Sequence, residues 1–362
     1  MIKVLAAGTK RSMRMFFSYL LTKWTLYLFR DRFFENHKIE DAIKKNEEIS
    51  KLLTDTFKNH ENLIKTGNRA KYSFLKGRLL NVVAKYNKEA EILLSKAIKL
   101  DPKLVDAWNE LGEWSTERGL TYAKEAVELD PSDGLSWVVL GNAHLSSFLG
   151  IQQNPKILKQ CLSAYSQAEK DFVAKSTPDL HYNKGITLKY EEEFKLALES
   201  FNEASLYDPT WEPPVIKEKQ LIKYLNDIKE FVSTCGKMKA KRLQQILQSI
   251  DIKQLGPLVA AAIHPRLAKQ LNLLNTFCLV DKTRTCVVVT IFNLADGKGV
   301  IIGDSVAIPE PFVTDVDFSY KQNIYNFRLI RVETPIILVV NGKKVSRDLQ
   351  AGVQMSIFKK FD

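Results

Sequence analysis

The sequence predicts an α+β chain with more than one domain: a solenoid of paired helices followed by a small antiparallel β domain. Three observations carry this. The frame W-x-x-L-G occurs twice, at Trp108 and at Trp137. Three segments end in Asp-Pro, at Pro102, Pro131 and Pro209, each at a similar offset from a pattern of small and large apolar residues. From Thr276 onward the apolar period changes from 3.6 residues to 2, or to continuous β-rich runs. The chain then divides into an atypical segment at 1–25, helical repeats over 26–235, a basic linker with one short helix over 236–270, and a β domain over 271–362.

Self-similarity near 34 residues marks stacked helix pairs. The frame has Trp at position 4, Leu-Gly at 7 and 8, Tyr at 11, Ala at 20, Phe at 24, Ala at 27 and Pro at 32. The segment 181–209 follows it: His181, Lys184, Gly185 and Leu188 occupy the first helix, and Ala197, Phe201, Ala204 and Pro209 the second half. AEILLSKAIKLDP puts Ala90, Leu94, Ala97 and Pro102 on the same four second-half positions. AKEAVELDP puts Ala123, Ala126 and Pro131 on the last three. Small residues at 8, 20 and 27 let two backbones approach, and large ones at 4, 7, 11 and 24 fill what remains. Proline at 32 ends the second helix, because it lacks an N–H and restricts the residue before it. Neither helix of a pair buries its stripe alone, so the pairs stack around a continuous core.

One irregularity interrupts the array. Trp108 and Trp137 stand 29 residues apart, about five fewer than one repeat requires. Counted forward from Trp108, Lys124 falls on position 20, where a small residue belongs. The expectation is a shortened unit, or a lost repeat, with a register fault near Ser115.

After Trp211 the helical pattern continues through EPPVIKEKQLIKYLNDIKEFVSTCG. A basic stretch follows, with Lys237, Lys239, Lys241 and Arg242 close together. It reads as a solvated linker or as a contact for an anion. Strands are expected at TFCLVD, CVVVTIFN, GVIIGDSVAIP, IYNFRLIRVE and PIILVVNG, with turns at KTRT, ADGKG and NGK. Five short strands in this length suggest a small OB-like barrel or sheet. GDSVAIPEP lacks the spaced glycines and Lys-Ser/Thr of a phosphate loop and reads as a strand that turns at its prolines.

The net charge of +11 over 362 residues suits acidic partners such as nucleic acid, ribosome or an acidic protein surface. The excess is spread out, so a solvated basic face explains it equally well. The four cysteines, Cys161, Cys235, Cys278 and Cys286, form no CxxC pair and lie at no zinc spacing from a histidine. Free, mostly buried thiols in a reducing compartment are expected. The first 30 residues carry six Lys/Arg and no acid, the charge pattern of a mitochondrial transit peptide. No small-residue cleavage site follows, so an amphipathic N-terminal helix is the other reading. The apolar run there is broken by Lys23 and too short to span a bilayer. None of the histidines, His37, His60, His144, His181 and His264, accompanies a nucleophile motif such as G-x-S-x-G. Catalysis, cofactors and metals are not expected.

Over roughly 70–231 these residues resemble the tetratricopeptide repeat family. Both halves together resemble, more narrowly, the tetratricopeptide repeat protein 5 family, in which such an array precedes an OB fold. The strings that carry this are FCLVDKTRTCVVVTIFN, GVIIGDSVAIPEP, IRVETPIILVVNGK, STPDLHYNKGITLKYEEEF, QNPKILKQCLSAYSQAEK, LYLFRDRFFENHKIEDA and DPTWEPP. The resemblance implies a non-enzymatic adaptor of cytoplasm and nucleus, without membrane contact. It implies co-activator assembly in stress responses, with an acetyltransferase and an actin-nucleating cofactor as partners. It also implies tubulin autoregulation, in which the groove takes the N-terminal segment of nascent tubulin at the ribosome and triggers decay of the tubulin message. The chain departs from the family's pattern at 1–25, at 114–120, and at 256–276, where strand alternation is missing and the first barrel strands should sit. A closed barrel and an incomplete sheet with an exposed edge therefore both remain open.

In such repeats, first-helix positions 2, 5, 6, 9 and 12 face the concave groove. They select Asp106, Asn109, Glu113, Asn142, Asp179, Tyr182, Asn183 and Lys189, together with Thr116. A peptide with a basic residue needs a fixed carboxylate, and Asp179 is the first candidate. Asparagine amides offer a donor and an acceptor to a peptide backbone. Helix capping and bonding within the array compete for each of these side chains. The alternative function is nucleic-acid binding by the OB-like domain and the basic linker, with Phe292, Phe318, Tyr320, Tyr325 and Phe327 as stacking residues and Lys298, Lys321 and Arg328 beside them. Tyr325, Phe327 and Leu329 share one strand face, which serves a barrel core as readily.

Overall fold

The computed structural model describes residues 26, 29–30, 33, 44–45, 47–55, 69–82, 87–113, 117–150, 154–236, 238–249, 259–264, 275–281, 284–295 and 299–350. The segment 1–25, Thr116, Lys237 and Lys298 lie outside them. The chain forms two compact units, Met1–Ala143 and His144–Asp362.

The first unit holds α1 (Arg69–Leu80), α2 (Lys88–Leu100), α3 (Val105–Gly112), α4 (Glu117–Leu129) and the start of α5 (Gly134–Gly150). Asn87 caps α2 by accepting from the N–H groups of Glu89 and Ala90 at 2.9 and 3.3 Å, which satisfies donors that the first turn cannot. Phe74, Leu94, Ala97, Ala107 and Leu111 form one core across α1, α2 and α3. Leu26, Ile49 and Leu53 form another with Leu79 and Val82. Both helices that precede an Asp-Pro here, α2 and α4, stop before it.

The recurring tryptophan now has a physical role. Trp108 Nε1 donates to the carbonyl of Pro102 at 2.9 Å, and Trp137 Nε1 donates to that of Pro131 at 2.9 Å. Each indole ties a new first helix to the turn that closed the preceding unit. His181 holds the same place in the third copy, with Nε2 2.6 Å from the carbonyl of Lys175. A carbonyl only accepts, so that nitrogen carries the proton.

The structure locates the five-residue deficit. Counted back from Pro131, Gly119, Ala123 and Ala126 take positions 20, 24 and 27, and all three are buried. The second helix is therefore complete, and Lys124 does not occupy position 20. The loss lies between Gly112 and Gly119: α3 has 8 residues where α8 of the second unit has 13. The pair still closes, because a Cβ on Gly112 would lie 3.2 Å from that of Ala123.

The second unit begins with the end of α5 and adds α6 (Pro155–Ala168), α7 (Phe172–Lys175), α8 (Pro178–Tyr190), α9 (Phe194–Tyr207), α10 (Glu212–Ser233) and α11 (Ala240–Ser249). Eight strands follow: β1 (Val259–His264), β2 (Asn275–Val280), β3 (Cys286–Ile291), β4 (Ser305–Ala307), β5 (Phe312–Tyr320), β6 (Asn323–Val332), β7 (Val339–Val340) and β8 (Lys343–Lys344). They form one sheet in the order β5-β6-β3-β2-β1-β4-β7-β8. β3 and β6 run parallel and every other pair is antiparallel. Among the described residues no ladder joins β5 to β8, so the sheet keeps two edges.

Three sequence expectations change. The segment 256–276, read as lacking strands, contributes β1. The stretch 312–320, read as no strand, is β5, one arm of a hairpin with β6. PIILVVNG is mostly a 3-10 turn at Pro335–Ile337 followed by the two residues of β7.

The continuous apolar runs are explained by burial on both faces. Cys278, Val280, Val288, Tyr325, Phe327 and Leu329 point to one side and join Leu198, Phe201, Leu221, Tyr224 and Ile228 of α9 and α10 in a shared core. Phe277, Leu279, Val289, Ile291, Ile330 and Val332 point to the other and form a core of the sheet itself. Helix α11 is docked too: Leu243, Ile246 and Leu247 pack against the helix–sheet core. The stretch read as a linker is thus partly bound to the body of the unit.

Candidate peptide-binding groove

The groove-facing positions of the first unit largely hold the array together. Asn109 Nδ2 donates to Asp133 Oδ2 at 3.3 Å and Ser136 Oγ at 3.0 Å. Asp133 meanwhile accepts from the Ser136 N–H at 3.1 Å and the Leu135 N–H at 3.3 Å, closing the first turn of α5. Asn109 is therefore a staple between α3 and the start of α5. Glu110, at groove position 6, was absent from the residues selected by counting. It is buried, lies 2.5 Å from Arg78 Nε on α1, and accepts from Asn81 Nδ2 at 3.4 Å. Asp106 is exposed in the first turn of α3 and Glu113 is its exposed C-cap. Asn142 is half-buried on α5.

In the second unit the same positions lie along α8. Thr177 precedes α8 and Pro178 opens it, a place where the missing N–H costs nothing. Asp179 is exposed in the first turn, at the partially positive end of the helix. Tyr182 packs between α9 and α10: its ring centroid lies 6.0 Å from that of Phe201 and 4.9 Å from that of Trp211. Burial raises the Tyr182 phenol above its ordinary pKa. Asn183 is half-buried, and its carbonyl accepts from Thr187 Oγ1 at 2.9 Å. Lys189 is buried, with its ammonium 4.8 Å from the ring of Tyr190. Burial, and secondarily the charge of Lys217 on α10, pulls its pKa down to about 8.

Beyond α8, buried polar groups bind the repeat to the sheet. Glu192, in a left-handed turn at φ 66°, accepts from Thr290 Oγ1 on β3. Arg331 on β6 donates to the Tyr190 carbonyl at 3.1 Å and stacks 4.3 Å over the ring of Phe292. Tyr320 and Lys321 reach Glu218 of α10, and Tyr224 bonds Thr276 at 3.1 Å.

These contacts use up the aromatics proposed for base stacking. Phe292, Tyr325 and Phe327 are buried, and Phe318 and Tyr320 are half-buried against the helix–sheet core. Arg328 pairs with Asp315 at 3.3 Å and Lys321 with Glu218. Lys239, Lys241 and Arg242 are exposed. All four cysteines are free. Among the described residues no group of His, Cys, Asp or Glu is placed to hold a metal, and no helix is long and apolar enough to cross a membrane.

A helix-pair array whose polar and aromatic side chains line successive first helices, carried on an OB-like sheet, defines a repeat-type protein-interaction adaptor. The OB fold domain model of tetratricopeptide repeat protein 5 matches residues 237–354. The chain is 36% identical over 412 residues to tetratricopeptide repeat protein 5 of Mus musculus, covering 91% of this chain and 94% of that one. The human protein of that name is 36% identical over 407 residues, covering 90% and 92%. The chain belongs to the tetratricopeptide repeat protein 5 family. A solved tetratricopeptide repeat protein of Thermus thermophilus overlaps 50% of this chain and 92% of its own at 12% identity and a TM-score of 0.37, too low to carry weight.

Proposed function

We propose that the repeats of the second unit receive an extended peptide whose basic residue is held by Asp179. The peptide is the N-terminal segment of nascent tubulin at the ribosome, and its capture leads to decay of the tubulin message. The observation that carries this reading is the exposed Asp179 carboxylate at the head of α8, on the same helix as the half-buried Asn183 and as Tyr182, whose ring meets that of Trp211. A guanidinium or ammonium gains a charge-assisted hydrogen bond there, while the amide of Asn183 suits a peptide backbone. The exposed Lys239, Lys241 and Arg242 support contact with a polyanion such as ribosomal RNA. The repeats would serve the nuclear partners in the same way, in stress-response co-activator assembly with an acetyltransferase and an actin-nucleating cofactor. The activity is non-enzymatic, and the chain works in both cytoplasm and nucleus.

Calorimetry with a synthetic tubulin N-terminal peptide tests the reading. Asp179→Lys is expected to weaken binding by about tenfold or more, as loss of a charged hydrogen bond implies. Equal affinity for both proteins overturns it.

A further inference from the structure

Three of the four cysteines gather at one end of the helix–sheet core. Cys278 is fully buried on β2, and Cys235 and Cys286 are half-buried against the same cluster. Cys286 opens β3, with Arg284 and Thr285 exposed just before it, so solvent reaches its thiol. The β2–β3 register pairs Cys278 with Val288 and Val280 with Cys286. The two cysteines therefore share one face of the hairpin as diagonal neighbours. The Cys278 thiol donates a hydrogen bond to the Cys286 sulfur, which holds Cys286 below its ordinary pKa against the effect of burial. The same bond, together with burial, holds Cys278 above its own. The thiolate is the form that attacks a peroxide, and Cys286 is the member of the pair placed to supply it. Cys235 stands at the end of α10, with its Sγ 3.9 Å from the Arg284 carbonyl in the β2–β3 turn.

A buried cysteine commonly fills space as a small apolar side chain. Two on one face of a single hairpin have a further capacity. Diagonal neighbours stand about 7–8 Å apart at Cα, whereas a relaxed disulfide spans about 5.5–6 Å. A bridge here forms only as the strands shift, and that strain makes it easy to reduce again. We propose that Cys278 and Cys286 are a reversible oxidation site for hydroperoxides, closing a disulfide between β2 and β3. The Cys286 thiolate attacks one oxygen of hydrogen peroxide; the O–O bond breaks, leaving a sulfenic acid on Cys286 and a hydroxide that takes up the proton Cys286 lost. The Cys278 sulfur then bonds to that of Cys286, and the S–O bond breaks to release water with the Cys278 proton. Two thiols lose two electrons, and one peroxide becomes two waters. Reduced glutathione reverses the step by thiol exchange. Cys278, Val280 and Val288 belong to the core shared with α10, so the bridge acts on the join between repeat and sheet. None of this depends on what the repeats bind.

The test treats the folded full chain with hydrogen peroxide, removes the excess with catalase, then unfolds, alkylates and digests it with trypsin. Lys282 and Arg284 lie between the two cysteines, so the cysteines leave on separate peptides unless they are bridged. The expected result is loss of two of the four free thiols and a linked Cys278–Cys286 peptide, with all four thiols restored by reduced glutathione. Cys235→Ser should leave the bridge unchanged. Cys286→Ser should abolish it, and Cys278→Ser should stop the reaction at a sulfenic acid on Cys286 that dimedone traps. The linked peptide of the wild-type chain decides the matter even where a variant fails to fold. Four thiols that survive peroxide overturn the inference. So does a link from Cys286 to Cys235, or a bridge that reduced glutathione leaves intact.

Discussion

The pairs α3/α4 and α8/α9 are written in one frame and end differently. In the first, α3 stops after 8 residues, and among the described residues its apolar side chains share a core with α1 and α2. In the second, the helix keeps 13 residues, and its partner α9 is covered by a β-sheet through the core that Phe201 shares with Tyr325 and Phe327. The lesson concerns cooperativity. Stacked repeats lose and gain stability locally, neighbour by neighbour, whereas a repeat that shares its core with a sheet is bound to that sheet's fate.

The most severe test of this contrast is a pair of truncations. Phe201→Ala removes a fully buried ring and is expected to cost about 3–5 kcal/mol. Native-state hydrogen exchange should accelerate together in α8–α10 and in β3 and β6. Leu111→Ala, also fully buried, should cost about 2–5 kcal/mol and accelerate exchange only in α1–α4. Unchanged exchange in β3 for Phe201→Ala would sink the common core.

A smaller change refines the contrast. A Cβ on Gly185 would lie 2.7 and 2.8 Å from the ring of Phe201 and 3.2 Å from the Ala197 carbonyl. Gly185→Ala is expected to destabilise by about 1–3 kcal/mol through overpacking. The added methyl at Gly112 meets the Val139 side chain at 2.9 Å, which can turn away, so Gly112→Ala should cost less. Denaturant midpoints of the two variants would order them, and the reverse order would show that the sheet does not hold Phe201 in place.

The mildest probe is pH. Burial pushes Glu192 up to about 6, against the opposing effects of Thr290 and Arg331. Because the folded state holds this proton more tightly than the unfolded one, the group's contribution is favourable below about pH 4.5 and is lost as pH rises through 6. Relative to wild type, Glu192→Gln should therefore gain about 2 kcal/mol between pH 4.5 and 7.5. A difference that stays flat across that window would mean that Glu192 is not held by the sheet as described.

Much of the array was legible in residues alone. Asp-Pro endings, Gly185 opposite Phe201, and the tryptophans at position 4 are local requirements of a helix pair, and each appears where the frame places it. The strands at Cys286 and Asn323 were legible from their apolar runs. Less was legible in β1. VAAAIH is a strand that forms between β2 and β4 and carries no alternating pattern, whereas FVTDVDFSY alternates from Asp315 to Tyr320 and could have been read as a strand. The candidate site divides in the same way. Asp179 could be selected by counting. That Asn109 is spent on Asp133 and Ser136 and that Glu110 holds Arg78 could not, because those partners come from other helices.

Short-range chemistry wrote the paired helices, their turns, and the shift from a 3.6-residue period to β runs; these depend on neighbours along the chain and survive without knowledge of the fold. Long-range packing alone settled three matters. It divided the chain into units that meet at Ala143 and His144, it buried the aromatics of β6 beneath α9 and α10, and it tied Arg331 of β6 to the carbonyl of Tyr190. Each depends on which surfaces meet across more than a hundred residues, and burial at that distance is a property of the assembled core that no window of sequence contains.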